Sequence, residues 1–153
     1  MARFDPDPEH DYKKDPSPYV YTSNERGVFK VHPYKEDLLP LWSFKGEQAA
    51  RTSSAAILKV YEGYIKQKDF VGADMARKYL QMGWTRSMRY AKYPGGRKYN
   101  EDGSKREEQL WADPDKRAGA LVFKKAWDSV REDERYQALK SAWLAVQKAK
   151  PSA

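Results

Sequence analysis

The segment FVGADMARKYLQMGWTRSMRYAKYPGGRKY, residues 70–99, has the periodicity of one long helix. When its residues are placed at intervals of about 100°, the apolar side chains fall on one broad side. Asp69 stands immediately before the segment and can cap the helix, because its carboxylate can accept from the first free amides. The Pro-Gly-Gly sequence at 94–96 is expected to end it. The pattern predicts a helix from Phe70 to about Tyr93 that packs along its apolar side.

Three further helices are predicted around this segment. Apolar residues recur at three- and four-residue steps from about Gly46 to Gln67, which is typical of a helix with one buried stripe. Asp113 followed by Pro114 indicates the start of another helix, because proline at the first position loses no needed donor. Asp133 is expected to cap the last helix, which has an apolar face of its own. The chain is therefore expected to contain about four helices.

The sequence before the first of these helices predicts a short β-hairpin. Residues 19–22 (YVYT) and 28–32 (VFKVH) are β-branched and aromatic runs, and the turn-like tetrapeptide NERG lies between them. Two strands alone are marginally stable, so the pair must pack on something else. The segment KEDLLPLW, residues 35–42, supplies an apolar strip that is expected to cover the core. The predicted fold class is mainly α, of the α+β type, with a short N-terminal β-hairpin.

The length and composition are those of a single domain. The chain has 153 residues, and its five tryptophans and five phenylalanines give it bulky apolar groups to bury. Residues 1–18 are rich in proline and polar residues, which predicts an irregular N-terminal arm. Residues 150–153 are expected to fray. The mainly helical domain is therefore expected to occupy residues 19–149.

Several classes of function lack the residues that they need. Without cysteine, disulfides and thiolate chemistry are excluded, and the two histidines, His10 and His32, are too far apart in the sequence to predict a metal site. Nucleophile elbows, phosphate-binding loops and dinucleotide fingerprints do not occur in the sequence. We therefore expect no catalytic residues, no cofactor and no metal, and we favour a protein that is not an enzyme.

The sequence also gives no indication of a membrane partner. Its apolar runs fall well short of the roughly 20 residues that span a bilayer. The N-terminus, MARFDPDPEHDYKKD, has early acids and no apolar core, so it does not resemble a signal peptide. The expected compartment is the cytoplasm.

The net charge of +7 is concentrated in one part of the chain. Between Met75 and Asn100 there is no Asp or Glu, whereas seven cations occur: Arg77, Lys78, Arg86, Arg89, Lys92, Arg97 and Lys98. Subtracting these seven from the 29 Lys and Arg residues leaves 22, which the 22 Asp and Glu residues balance. This segment is therefore the candidate anion-binding region of the protein.

The helical pattern assigns these cations to different faces. Four of them share the polar side of the predicted helix, where their charges would add: Arg77, Lys78, Arg89 and Lys92. Arg86 falls inside the apolar arc, and an unpaired buried guanidinium costs several kcal/mol. It therefore requires either an ion pair with an acid such as Asp74 or Glu62, or an anionic ligand in a pocket.

The residues that follow the helix extend the predicted surface, and the NEDGSK sequence at residues 100–105 predicts a turn within the polar loop beyond it. The backbone amides of Gly95 and Gly96, next to Arg97 and Lys98, can receive a phosphate, although two glycines can also be a plain helix stop. Aromatic residues are interleaved with these cations, which is typical of proteins that bind single-stranded nucleic acid. The candidates for stacking on bases are Trp84, Tyr93 and Tyr99.

The central block KQKDFVGADMARKYLQMGWTRSMRYAKYPGGRKY, residues 66–99, resembles the signature of DUF4385, a small family of domains of unknown function found in bacteria, fungi and phages. The flanking stretches VHPYKEDLLPLWSFK and KAWDSVREDERYQALK are similar to it as well, so the resemblance covers about residues 10–145. It implies a single domain and brings no activity, cofactor or catalytic residue. A weaker similarity relates residues 127–143 to the end of an FF repeat, a module that binds acidic or phosphorylated peptides, and to the later helices of an HMG box.

These observations favour a nucleic-acid-binding domain. The cations of the second long helix and the Gly-Gly turn would neutralise backbone phosphates and release counterions, without implying sequence specificity. An adaptor that binds an acidic or phosphorylated protein partner with the same surface is a second hypothesis. A third is an enzyme or binder of a small phosphorylated metabolite around Arg86 and the glycine turn. A cationic face that only maintains solubility is the simplest alternative.

Overall fold

The computed structural model describes residues 4–93, 97–107 and 113–149. Within these ranges the chain forms five α-helices and one short 3-10 turn, with no β-strand. The helices are α1 (Tyr34–Leu38), α2 (Glu47–Lys66), α3 (Phe70–Lys92), α4 (Pro114–Arg131) and α5 (Glu134–Ala149), and the 3-10 turn is Leu39–Leu41.

The four long helices start close to the predicted positions, and capping residues explain the agreement for α3, α4 and α5. The carboxylate of Asp69 accepts a hydrogen bond from the amide of Gly72 at 3.0 Å. Asp113 and Asp133 accept in the same way from amides two or three residues further on, each at 3.0 Å. Each carboxylate satisfies an amide that has no partner inside its own helix. The predictions of these three helix starts are confirmed.

The central helix of the fold is α3. It packs against α1, α2, α4 and α5, and every residue from Phe70 to Gly83 is buried. The surrounding core cluster contains apolar residues from all five helices. A helix that is covered on all sides cannot keep a solvent-facing polar stripe. The polar residues in the first half of α3 therefore lie inside the protein as well.

The predicted N-terminal β-hairpin is wrong, and so is the predicted number of helices. Among the described residues the fold is helical rather than α+β, and it has five α-helices rather than about four. Two isolated bridges, Asp11–His32 and Tyr99–Lys105, are the β-type pairings in these ranges. The additional helix is α1, which overlaps the first half of the apolar strip that was expected to cover the core. Its Leu38 is fully buried, so that part of the expectation is confirmed.

Side chains of α3 take the backbone groups that a hairpin would need. The carbonyl of Thr22 accepts from Arg77 Nη2 at 2.8 Å, and the carbonyl of Arg26 accepts from Lys78 Nζ at 2.5 Å. Arg77 also donates to the carbonyl of Asn24, and two other side chains of α3, those of Gln81 and Tyr79, donate to the carbonyls of Ser23 and Val28. Because these carbonyls accept from a helix, they are not available for a cross-strand ladder, and the segment remains irregular.

Residues 4–18 are irregular, as predicted, but they are packed rather than free. Phe4 and Tyr12 are buried in the core cluster. The ring of Phe4 packs edge-on against the ring of Tyr19, with centroids 5.0 Å apart. The amide of Tyr12 donates to the carbonyl of His32 at 2.9 Å. This segment is therefore part of the folded unit, whereas residues 150–153 lie outside the described residues.

Hydroxyl groups of buried tyrosines bond to carboxylates that lie on other elements. Tyr34 of α1 donates to Asp69 at 2.6 Å, and Tyr64 of α2 donates to Asp37 at 2.9 Å. Tyr61 of α2 donates to Asp133 at 2.8 Å, which joins α2 to the start of α5. Burial and the nearby carboxylates raise the pKa of each of these tyrosines far above the ordinary value. The phenols therefore stay protonated and act as donors.

Two glycines of α3 allow neighbouring side chains to approach the helix backbone. A Cβ placed on Gly83 would lie 2.4 Å from Cδ1 of Phe123 in α4, and one on Gly72 would lie 2.6 Å from Cδ1 of Tyr64 in α2. Contacts this short require a neighbour to move. Both glycines lie on the side of the helix that the sequence pattern assigns to packing, and their cost to the helix is offset by this close approach.

Replacement of Gly83 by alanine is expected to lower the free energy of unfolding by about 1–3 kcal/mol, because overpacking against Phe123 outweighs the gain in helix propensity. The matched control is Gly63→Ala in α2, where an added Cβ meets nothing within 4 Å. That change is expected to stabilise the protein by roughly 0.5–1 kcal/mol. Urea unfolding of both variants measures the difference. Stabilisation by both changes would contradict the close contact between α3 and α4.

Candidate anion-binding surface

The first two cations of the predicted polar face are buried. Arg77 is 2% exposed and Lys78 is 0% exposed, so the prediction that they share an exposed face with Arg89 and Lys92 is wrong. Both point instead into the N-terminal segment, where they bond to the backbone carbonyls described above. They therefore belong to the interior and contribute no charge to an external surface.

A buried carboxylate, Asp74, neutralises Arg77. Its Oδ1 accepts from Nε and Nη2 of Arg77 at 3.0 and 2.8 Å and from the hydroxyl of Tyr136 at 2.6 Å. Its Oδ2 accepts from the hydroxyl of Tyr19. Burial alone would lower the pKa of Arg77, but the charge of Asp74, together with smaller contributions from the neighbouring tyrosines, outweighs burial and raises that pKa. The result is an internal ion pair whose remaining donors and acceptors are bonded.

Lys78 is the less completely compensated of the two buried cations. Burial lowers its pKa to about 8, although the charge of Asp74 opposes the change. Its Nζ bonds to the carbonyl of Arg26 and lies 5.6 Å from the ring centroid of Phe4 and 5.4 Å from that of Tyr19. These contacts replace the water that the ammonium loses on burial.

Arg86 is exposed, so the prediction that it lies inside the apolar arc is wrong. It lines a depression of about 350 Å³ together with Arg26 and Lys30. Two acids, Asp5 and Glu25, line the same depression, so the charge there is mixed. Arg86 needs no buried partner, because water reaches its guanidinium.

The acids proposed as partners for Arg86 are bonded elsewhere. Asp74 is paired with Arg77, and Glu62 accepts from Arg135 at 2.7 Å. Arg86 and Lys98 line two different depressions, which share the lining residue Thr85. Because Gly95 and Gly96 lie outside the described residues, the combination of Arg86 with that turn in one metabolite site stays a prediction.

Several of the predicted site residues do come together, in a cleft of about 300 Å³ at the C-terminal end of α3. We call it the cationic cleft. The predicted residues that line it are Trp84, Arg89, Lys92, Tyr93 and Lys98, and the remaining described lining residues are Thr85, Met88 and Lys105. It therefore combines four cations from two separate segments, and no carboxylate is among its described lining residues.

The loop 97–107 supplies half of the cations of this cleft. It folds back on itself, since the amide of Arg106 donates to the carbonyl of Lys98 at 2.8 Å and the amide of Asn100 donates to the carbonyl of Ser104 at 2.8 Å. Gly103 adopts a φ of +87° at the turn, which confirms the turn predicted for the NEDGSK sequence. This fold-back places Lys105 beside Lys98, and sequence reasoning missed Lys105 because nothing local indicates that pairing.

The predicted stacking residues differ in how much of their rings is accessible. Tyr99 is 61% exposed, and Trp84 is half-buried with its ring centroid 5.5 Å from that of Trp127. Tyr93 is 3% exposed, so the suggestion that it stacks on a base is corrected: its ring is part of the interior. Arg97 and Lys98 are exposed beside Tyr99, whereas Gly95 and Gly96 lie outside the described residues.

Two other features do not occur among the described residues. None of their helices is both long and apolar enough to cross a membrane. In the same ranges, no three His, Asp or Glu side chains are grouped in a way that would hold a metal ion.

Comparison with known proteins agrees with the resemblance seen in the central block. No curated protein and no solved structure matches the sequence. The family described as a domain of unknown function (DUF4385) does match, over residues 5–146. This range includes α1 to α5 almost completely, together with the cationic cleft and the packed N-terminal segment. Because the match covers far more than half of its length, the chain belongs to the DUF4385 family.

Proposed function

We propose that the protein binds nucleic acid through the phosphate backbone at the cationic cleft. The observation that supports this function is the convergence of Arg89 and Lys92 from α3 with Lys98 and Lys105 from the loop, next to the ring of Trp84. Cations within one cleft attract a polyanion more strongly than the same cations spread over a surface, because their fields add. Counterion release would then supply most of the affinity.

The proposed interface differs from the one that the sequence suggested. Arg77 and Lys78 are excluded from it, because both are buried and bonded to internal acceptors. Arg97 and Tyr99 extend it along the loop, since both are exposed. Tyr99 offers a ring on which a base can stack, which favours a single strand over a duplex. Phosphate contacts position a strand without reading its sequence, so the proposed binding is not sequence-specific.

Removal of the four cleft cations is expected to weaken oligonucleotide binding by roughly a hundredfold at low salt. The slope of log K against the logarithm of the salt concentration is expected to become shallower by about three, since each lost phosphate contact contributes about 0.7 for a single strand. The variant replaces Arg89, Lys92, Lys98 and Lys105 with glutamine. Fluorescence anisotropy of a labelled single-stranded oligonucleotide, titrated at several salt concentrations, measures both quantities.

The matched control removes the same charge from elsewhere on the surface. It replaces Lys13, Lys59, Lys66 and Lys68 with glutamine, four exposed residues that do not line the cationic cleft. We expect it to retain most of the affinity and the wild-type salt slope. Equal losses in the two variants would indicate attraction by net charge alone. No binding of the wild-type protein at low salt would end the proposal.

The hypothesis of an acidic protein partner predicts a different competition result. Polyglutamate offers carboxylates without bases, so it can use the four cations but not the rings of Trp84 and Tyr99. We expect it to compete with the oligonucleotide far less well at equal charge, because stacking contributes about 1–3 kcal/mol per base. Equal competition would instead favour the acidic partner over nucleic acid.

A further inference from the structure

A second cleft, of about 650 Å³, lies between α3, the C-terminal end of α4 and α5. We call it the α5 cleft. Residues 21 and 23 of the N-terminal segment form one edge of it. Among the described residues, the two clefts have no lining residue in common. Its volume falls in the range of about 300–1,000 Å³ that is usual for sites that bind small molecules.

The described residues that line the α5 cleft include three cations, Arg77, Arg131 and Lys140, and no carboxylate. Arg77 lies at the base, and its donors are used by Asp74 and by backbone carbonyls. Arg131 contacts Asp128, which also accepts from Lys124. Lys140 makes no ion pair in the described part of the chain. It is therefore the cation that a ligand can engage most easily, with Arg131 as the second.

Both of these cations rest on aromatic rings that also line the cleft. The ammonium of Lys140 lies 4.5 Å from the ring centroid of Tyr21. The guanidinium of Arg131 lies 3.9 Å from the ring centroid of Trp127. A charge-assisted hydrogen bond to a phosphate is stronger than a cation–π contact at a partly exposed site. A phosphate that enters the cleft would draw both cations towards itself and uncover the two rings.

We propose that the α5 cleft binds a nucleotide unit, with its phosphate on Lys140 and Arg131 and its base against Tyr21 or Trp127. A phosphate supplies the negative charge that the lining of the cleft does not provide, and a planar base supplies a surface that stacks on an uncovered ring. The hydroxyl of Ser141, exposed on the same helix as Lys140, is a further donor at the edge of the cleft. The unit is either a free mononucleotide or one nucleotide of a longer strand.

Isothermal titration of the full chain with adenosine and uridine 5′-monophosphates tests the proposal. The corresponding nucleosides and inorganic phosphate are titrated separately, and each is expected to bind at least about tenfold more weakly, because each offers half of the contacts. The variant K140Q/R131Q is expected to lose at least about tenfold in mononucleotide affinity. The control K125Q/K148Q removes two exposed cations from α4 and α5 that do not line the cleft, and it should bind as the wild type does.

The results separate the two sources of the nucleotide. Mononucleotide binding that K140Q/R131Q weakens and the control does not supports a free nucleotide. If mononucleotides do not bind, the oligonucleotide titration decides. A loss of at least about tenfold in oligonucleotide affinity for K140Q/R131Q, with no change for the control, supports a nucleotide that belongs to a longer strand. The proposal is overturned if neither of these two effects is observed, or if the two double variants weaken binding equally. The quadruple glutamine variant of the cationic cleft should leave the mononucleotide result unchanged, so this site can fail or succeed independently of the proposed function.

The test does not depend on the double variant remaining stable. Its melting temperature is measured first, and if it unfolds, the single variant K140Q replaces it. Lys140 is half-buried and makes no ion pair within the described residues, so its loss removes charge from the cleft without breaking the pair between Arg131 and Asp128.

Discussion

Replacement of Asp74 by alanine is expected to lower the free energy of unfolding by about 3–5 kcal/mol, which is the usual cost of leaving one member of a buried ion pair without its partner. Arg77 would remain 2% exposed with no carboxylate, and the hydroxyls of Tyr19 and Tyr136 would lose their acceptor at the same time. Because domains are stable by only about 5–15 kcal/mol, this loss approaches the whole stability of the fold.

Urea unfolding followed by circular dichroism measures the effect. The matched control is Arg86→Met, which removes a cation from the exposed part of the same helix and should change the free energy of unfolding by less than about 0.5 kcal/mol. Asp74→Asn keeps the shape of the side chain and one acceptor, so it should remain folded and lose less. A loss below about 1 kcal/mol for Asp74→Ala would show that the pair is not buried in solution.

A double variant separates the ion pair from the other bonds of Arg77. Asp74→Ala combined with Arg77→Met is expected to cost less than the sum of the two single changes, because no unpaired charge is left in the interior. It should still be less stable than the wild type. The carbonyls of Thr22 and Asn24 would lose the donors that hold the N-terminal segment against α3. Limited proteolysis within residues 20–28 is expected to increase in the same variants.

The parts of the fold that sequence reasoning obtained correctly depend on local signals. Asp69, Asp113 and Asp133 each precede the helix that they cap, so a few adjacent residues indicate where the helix starts. The turn at Gly103 is equally local. Each of these features depends on hydrogen bonds that span only a few residues, and distant parts of the chain do not alter them.

The two main errors about α3 and the N-terminal segment have one common cause. A helical wheel separates apolar from polar residues, and it assigns the polar side to solvent on the assumption that the helix has an outer face. The first half of α3 has none, because irregular backbone covers its polar side and accepts from Arg77 and Lys78. The same bonds remove the acceptors of the predicted hairpin. Neither error could be corrected without knowing which segment lies over the helix.

Only part of the candidate site could be predicted from the sequence, and the reason is similar. Arg89, Lys92 and Lys98 are close in sequence, and the end of α3 places them in one cleft. Lys105 joins them through the fold-back of the loop, and Lys140 reaches the other cleft from α5, more than 60 residues after Arg77. Charge density along a sequence finds the first kind of neighbour but not the second.

Raising the pH above 10 is expected to unfold the protein within about one to two pH units. Seven tyrosines that are almost fully buried have pKa values raised by burial above the ordinary value of 10: Tyr12, Tyr19, Tyr34, Tyr61, Tyr64, Tyr79 and Tyr136. Above pH 10 they lose their protons in the unfolded chain and keep them in the folded one. The folded state then binds more protons, so stability falls as the pH rises, by up to about 1.4 kcal/mol per pH unit for each tyrosine.

Lys78 acts in the opposite direction over a lower range of pH. Its pKa is about 8 in the folded protein, below the ordinary value of 10.5, so the unfolded chain binds more protons between these two values. Stability therefore rises with pH across this window, by up to about 3 kcal/mol. Together the two effects predict a free energy of unfolding that increases from pH 8, reaches a maximum near pH 10 and then declines steeply.

Urea unfolding at a series of pH values measures this profile, and the ultraviolet absorbance of tyrosinate shows whether ionisation accompanies the loss of helix. Tyr64→Phe removes one of the seven buried phenols and should reduce the decline above pH 10 by about 1.4 kcal/mol per pH unit. Tyr99→Phe removes a hydroxyl that is exposed in the folded chain, and it should leave the slope unchanged. Tyrosinate that forms gradually near pH 10 while the helices persist would mean that water reaches these phenols in the native state. The hydrogen bonds that Tyr19, Tyr34, Tyr61, Tyr64 and Tyr136 make to carboxylates would then not be holding the helices together.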